Sequence, residues 1–162
     1  MKKYIIPIII LNLLLALVYI NHSVMKKEKL LKEGRLVLLE LAPVDPRSLM
    51  QGDYMALRYK ISSNIPADSL KRRGYCVVTL DARDIVKDVR YQSEITPTRS
   101  NEYPIAYTRS NRWNINIGAE SFFFQEGKAK KYEKAKYGGL KIDKNGNSLL
   151  IGLYDENLRK IE

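Results

Sequence analysis

The chain has one cysteine and one histidine among its 162 residues. A lone cysteine excludes a disulfide framework within the chain. A lone histidine excludes a multi-histidine metal site, and the two counts together exclude a zinc ribbon. Any nucleophile activated by histidine would have to use His22, which stands at the end of an apolar run and far from the rest of the chain. Cys76 lies in the alternating apolar run GYCVVTL, the setting of a small core residue. No acidic residue precedes Glu28, and no internal repeat or low-complexity tract is visible. Long alternation of strand and helix is also missing, which disfavours a doubly wound fold.

What is present divides into an apolar start and a mixed remainder. Residues 4–20, YIIPIIILNLLLALVYI, carry no charge. As a helix they span roughly 25 Å, at the lower limit for a hydrocarbon core about 30 Å thick. Tyr4 and Tyr19 suit the two interfacial belts, and Pro7 falls near the first turn, where a missing amide costs little. The sequence after the run, NHSVMKKEK, has no small-x-small cleavage site, so residues 1–23 are expected to be an uncleaved signal anchor. Lys and Arg are more numerous after the span than before it, but folded domains translocate largely regardless of charge. The expected topology is a single pass with the N-terminus inside and the domain outside.

Residues 24–34 suit a helical stalk stopped at Gly34. Over the whole chain, 45% hydrophobic and 28% charged residues describe a mostly folded protein, and 18.7 kDa provides for one domain, expected over residues 35–162. RLVLLELA reads as a strand. YMALRYKI reads as another, with Met55, Leu57, Tyr59 and Ile61 on one face and Tyr54, Ala56, Arg58 and Lys60 on the other. A helical turn is expected before Gly74. YCVVTLD and IVKDVRY form a hairpin across residues 82–84, and a polar stretch runs from Gln92 to about Pro104. IAYTR and RWNINI are two short strands joined at Ser110 and Asn111, and Phe122 to Phe124 form an apolar strand or turn. KAKKYEKAKYGG suits a helix stopped at Gly138, and Asn145-Gly146 between apolar runs marks a last hairpin. The expected fold is mainly β (α+β): an N-terminal transmembrane helix, then a compact antiparallel sheet or barrel-like domain of about eight strands with one or two short helices.

The densest local signal is DPRSLMQGDYMALRY. Pro46 fixes one backbone angle, Asp45 can cap the turn, Gly52 permits a positive φ, and Arg47 can pair with Asp45 or Asp53. The bland reading is a rigid, self-bonded lead into a strand. GDYMALRY, with Gly52, Asp53, Tyr54, Leu57 and Tyr59 in place, resembles the motif that names the GDYXXLXY family of bacterial membrane proteins. PVDPRSL before it, and YCVVTLD, FFFQEGKAKKYEKA and IDKNGNSLLIGLY after it, are similar to the family's other blocks, with Ser48 where an acidic residue is common. The resemblance implies one membrane helix and one extracytoplasmic domain, and a gene often beside those of multi-pass membrane proteins. It carries over no catalytic residue. The same string also resembles the nucleophile region of type I signal peptidases, S-M-x-P-T-L-x-x-G-D. Aligned on Gly52-Asp53, however, the nucleophile position falls on Val44, and Ser48 with Lys60 is the remaining Ser-Lys pair.

The balance is basic, +10 overall. Clusters fall at Lys26 to Lys32, at Lys71-Arg72-Arg73 and at Lys128 to Lys136, which suit a solvated face or anionic lipid headgroups near the stalk. Asp81, Asp84 and Asp88 interleave with Arg83, Lys87 and Arg90 and read as a charged turn, so no metal site and no cofactor is expected. Tyr54, Tyr59, Tyr103, Tyr107 and Trp113 could line a glycan or nucleic-acid surface, although strand aromatics more often pack in cores. Nucleic acid is not an expected partner for an anchored extracytoplasmic domain. The expectation is a membrane-anchored, non-catalytic envelope protein that binds or assembles with a multi-pass membrane protein or an envelope component. Asp45, Pro46, Arg47, Gly52, Asp53, Tyr54, Leu57 and Tyr59 mark its contact region. An envelope hydrolase built on the motif, and a lipid-surface or ligand sensor, are the alternatives.

Overall fold

The computed structural model describes residues 4–42, 54–63, 65, 70–96, 98–110, 114–125 and 127–162. The first element is α1, Ile5–Glu33, 29 residues and about 44 Å long at 1.5 Å per residue. It joins the apolar run to the stalk without a break. Pro7 sits within the first four residues, whose amides have no intrahelical acceptor. The stalk half is written in Met, Lys, Glu and Leu, all good helix formers. From residue 6 to 20 the side chains lie open, with none covered by the rest of the chain. This helix is long and apolar enough to cross a membrane. Its first half, apolar on every side and uncovered from residue 6 to 20, fits a membrane-anchored protein.

Among the described side chains of α1, Leu30 is the one that is buried and apolar. It docks the helix end on the domain, and Gly34 then turns the chain into the first strand. Gly34 holds extended dihedrals, φ −63° and ψ 147°, not the left-handed ones of a typical glycine stop. Its reason is space, since a Cβ there would run into the Leu30 carbonyl and stand 3.2 Å from that of Ile142. Lys141 Nζ donates to the Gly34 carbonyl at 2.8 Å, which satisfies an acceptor at the joint.

Nine strands are present among the described residues, in three antiparallel groups. In the first, β1 (Arg35–Glu40) pairs with β8 (Tyr137–Ile142), which pairs with β9 (Ser148–Tyr154). In the second the order is β4 (Val86–Gln92), β3 (Arg73–Leu80), β5 (Glu102–Arg109), β6 (Ile115–Asn116). The third is the pair β2 (Tyr54–Ala56) and β7 (Ser121–Phe123). Backbone bonds stitch the groups together: Leu38 N to Asp84 O at 2.8 Å, Ala106 N to Gly146 O at 2.9 Å, Leu57 N to Glu120 O at 2.8 Å. The sheets do not close into a barrel, which corrects the barrel-like form of the expectation and leaves the antiparallel α+β form standing. One core lies between them, with Val37 and Leu39 from β1, Cys76 and Val78 from β3, Ile105 from β5, and Leu140 and Leu153 from β8 and β9.

Both hairpins marked in the sequence are present, β3 with β4 and β8 with β9. In the second, Asp143 Oδ1 accepts from the amides of Asn145 and Asn147, both at 2.9 Å, and organises the Asn145-Gly146 turn. Three boundaries differ from expectation. β5 begins at Glu102, inside the polar stretch, and takes in Pro104. The Ala106 amide points away from β3, towards Gly146. By the two-residue period the Pro104 nitrogen faces the same outer side, where no ladder donor is needed. The helix expected over residues 128–139 is only α2, Ala129–Tyr132. Gly138 and Gly139 do not end it; they lie within β8, where bulky rings cross the sheet. Gly74, expected to end a helical turn, lies inside β3, while residues 64 and 66–69 of that segment are outside the described residues.

Candidate functional site

Tyr54, Leu57 and Tyr59 of the motif are described. Asp45, Pro46, Arg47, Ser48, Gly52 and Asp53 lie outside the described residues, as does Trp113. The alternation expected of the motif strand holds, although regular pairing covers only Tyr54–Ala56. Met55, Leu57 and Tyr59 are buried, while Tyr54, Arg58 and Lys60 are exposed. The strand is then held by single contacts. Ala42 N donates to Arg58 O at 2.8 Å, Leu41 bridges Tyr59 antiparallel, and a one-turn 3-10 helix, Lys60–Ser62, ends the segment.

Tyr59 is fully buried, and its hydroxyl donates to the Ala119 carbonyl at 2.6 Å. Burial, helped by the nearby Glu120 carboxylate, pushes the Tyr59 phenol well above its ordinary range, so the group stays neutral and serves as a donor. Its ring lies across β8, and Leu57 joins the same core. These two motif residues are therefore packing residues in this fold.

The other face differs. Tyr54 stands opposite Phe123 in the β2–β7 register, their ring centroids 5.7 Å apart and tilted by 41°. Tyr54 is 40% exposed and Phe123 is 74% exposed. Beneath them Phe122, Phe124 and Tyr132 form a second aromatic group, with Phe122 and Tyr132 edge to face at 5.0 Å. A groove of about 390 Å³ runs between the motif strand and α2, lined by both faces of that strand, Met55 and Leu57 as well as Arg58 and Lys60, and by Tyr132 and Lys136. Lys60 is tied to Glu40 at 2.6 Å, so its ammonium is committed to an ion pair in the described structure.

Cys76 is buried, and burial raises its thiol far above the usual range, which leaves it un-ionised. In the charged turn, Asp81 Oδ1 accepts from the amides of Arg83 and Ile85. These bonds, the Ile85 one first, lower its carboxyl against a smaller opposing effect of desolvation. Arg35 reaches across to Asp84. Among the described residues, no group of His, Cys, Asp and Glu is gathered where it could hold a metal ion. Tyr107 is core, Tyr103 is half-buried, and Tyr54 is the motif aromatic that remains open. Sequence reasoning missed Phe123. Its signal was available in the Phe122 to Phe124 triplet, because a two-residue period must turn one of three adjacent phenylalanines outward.

The model of the family described as GDYXXLXY protein matches residues 16–153, most of the chain. The chain belongs to the GDYXXLXY family. No curated protein and no solved structure matches it. In this GDYXXLXY protein the match starts inside the apolar half of α1 and runs into β9, so it takes in the stalk and the core with the motif.

Proposed function

We propose that this GDYXXLXY protein is a membrane-anchored, non-catalytic envelope protein of the cytoplasmic membrane. α1 is its uncleaved anchor, its head lies on the extracytoplasmic side, and the head docks a neighbouring multi-pass membrane protein. The observation that carries this reading is the split of the motif. Leu57 and Tyr59 are spent on the core, whereas Tyr54 is turned out beside Phe123 as an exposed aromatic pair. Aromatic rings left open to water are costly to maintain, and burying one against a partner contributes about 1.5–3 kcal/mol. Rigid aromatic pairs beside charged rims are the usual anchors of protein interfaces. The segment from Asp45 to Asp53 leads directly into Tyr54 and belongs to the same contact region.

The test is affinity purification of the full chain from detergent-solubilised membranes of its own cells, beside the double variant Tyr54→Ser, Phe123→Ser. A multi-pass membrane protein that co-purifies with the wild type and is lost from the equally stable variant supports docking through this face. Equal recovery with both chains, or no specific companion with either, contradicts it.

A further inference from the structure

A second groove, of about 980 Å³, lies where the stalk meets the head. Its walls come from the stalk, from the segment before β5 and from the β8–β9 turn. Its charges do not cancel. On the acidic side, Glu33 is paired with Lys29 at 3.8 Å, and Glu102 is held by Arg90 at 2.6 Å. Asp143 accepts from its own turn but keeps its negative charge, and the basic Arg35 is paired with Asp84. Among the described residues, four exposed cations stand around the opening against the one carboxylate of Asp143: Lys26 and Lys27 from the stalk, and Lys144 and Arg99 from the head, the last also within the field of Glu102. They come from three separate chain segments and converge on one groove.

The position of the groove along α1 decides what can occupy it. The apolar run ends at Ile20. Ser23, at the groove's membrane end, is then about 4–5 Å past the hydrocarbon edge, and Lys26 and Lys27 are about 9–10 Å past it. The polar layer on each side of a bilayer is roughly 5–8 Å deep, and lysine stems reach back several ångströms, so the Lys26 and Lys27 ammonium groups reach headgroup level, with Arg99 and Lys144 bordering the same groove.

We infer that this groove seats the headgroup of an anionic phospholipid, clamped between stalk and head, and that the bound lipid fixes the head's stance on the membrane. The inference rests on the anchored reading of α1 but not on the Tyr54–Phe123 face. Zwitterionic lipids offer the same phosphate but add a cation, which the four basic groups repel.

The experiment is native mass spectrometry of the full chain released from micelles, titrated with phosphatidylglycerol and phosphatidylcholine of identical acyl chains. Preferential retention of phosphatidylglycerol is expected, by about fivefold for each basic contact made. Arg99→Gln with Lys144→Gln should reduce that preference severalfold. The control pair Lys71→Gln with Arg72→Gln removes equal charge from an exposed site outside the groove and should leave the preference in place. Equal retention of both lipids overturns the inference, as do equal losses in the two double variants. Displacement by millimolar glycerol 3-phosphate also overturns it, because the site would then be one for soluble phosphates. Alkaline washing of membranes separates the two readings: a chain that washes off fails the anchor itself, whereas a chain that stays but shows no lipid preference fails only the groove.

Discussion

The Tyr59 ring occupies the space that a side chain at Gly138 would need. A Cβ built on Gly138 would stand 2.8 Å from Cε1 of that ring and 3.0 Å from its hydroxyl oxygen. Tyr59 is fully buried and Gly138 lies in a paired strand, so neither can easily yield. Gly138→Ala is expected to cost about 1–3 kcal/mol by overpacking. Tyr59→Phe should cost about 1–2 kcal/mol, because the Ala119 carbonyl loses its donor. The coupling is the sharper check. In a Tyr59→Leu background the added cost of Gly138→Ala should shrink, as expected of residues that share space. Urea unfolding of the single and double variants measures it, and strict additivity would show that the two positions do not press on each other.

Cys76 lies in β3 with no open path to solvent. Its thiol should resist alkylation by iodoacetamide at pH 8 in the folded chain and react fully in denaturant, because the thiolate is disfavoured by burial. Quantifying the alkylated fraction by mass spectrometry checks this. Rapid modification of the native chain would place the residue at a surface.

Glu102 introduces an acid dependence. The side-chain hydrogen bond from Arg90 leads the causes that hold its carboxyl at about 2, below the ordinary value of 4.5, with the Arg99 amide next. A carboxyl depressed in the folded state stabilises above its unfolded value, and that contribution is lost as the pH falls from about 4.5 towards 2. Glu102→Gln should therefore lower stability at pH 7 and flatten the fall in stability across that acid window. Thermal unfolding at a series of pH values from 2 to 7 reads both effects. A variant whose stability falls with acid as steeply as the parent's would remove this ion pair from the balance.

Much of this architecture could be read in the residues. The apolar run, the alternation from Met55 to Tyr59 and the Asn145-Gly146 turn each depend on spacing alone, and each appears in the fold. The failures share one cause. Gly34 was legible as a stop, but the sequence did not show that Ile142, more than a hundred residues away, tightens a space already closed by the Leu30 carbonyl. Gly138 read as a helix end because local rules treat glycine as punctuation, whereas here it makes room for a ring from another segment. Pro104 read as loop because its outer neighbour, the turn at Gly146, is distant in sequence. The exposed half of the site was missed for the same reason. Tyr54 was marked, but its partner Phe123 joins it through strand pairing, and periodicity within one segment does not report that.

The open aromatic pair gives a prediction that separates docking from folding. Tyr54→Ser with Phe123→Ser removes two exposed rings and their mutual contact, so the head should lose no more than about 1.5 kcal/mol of stability. Leu57→Ala, two residues further along the motif, should cost about 2–5 kcal/mol because it empties a core position. Chemical denaturation of the three chains side by side checks the order. If the surface pair proves as destabilising as Leu57→Ala, those rings are structural.

The most direct test of partner docking is a photoactivatable cross-linker placed at position 123 of the full chain and activated in intact cells. A second chain carries the same group at exposed Lys87 on β4, in a sheet other than the one that holds Tyr54 and Phe123. The predicted result is one discrete adduct with a multi-pass membrane protein from position 123 and none from position 87. Position 123 yielding no adduct, or the same smear of products as position 87, would contradict the docking face.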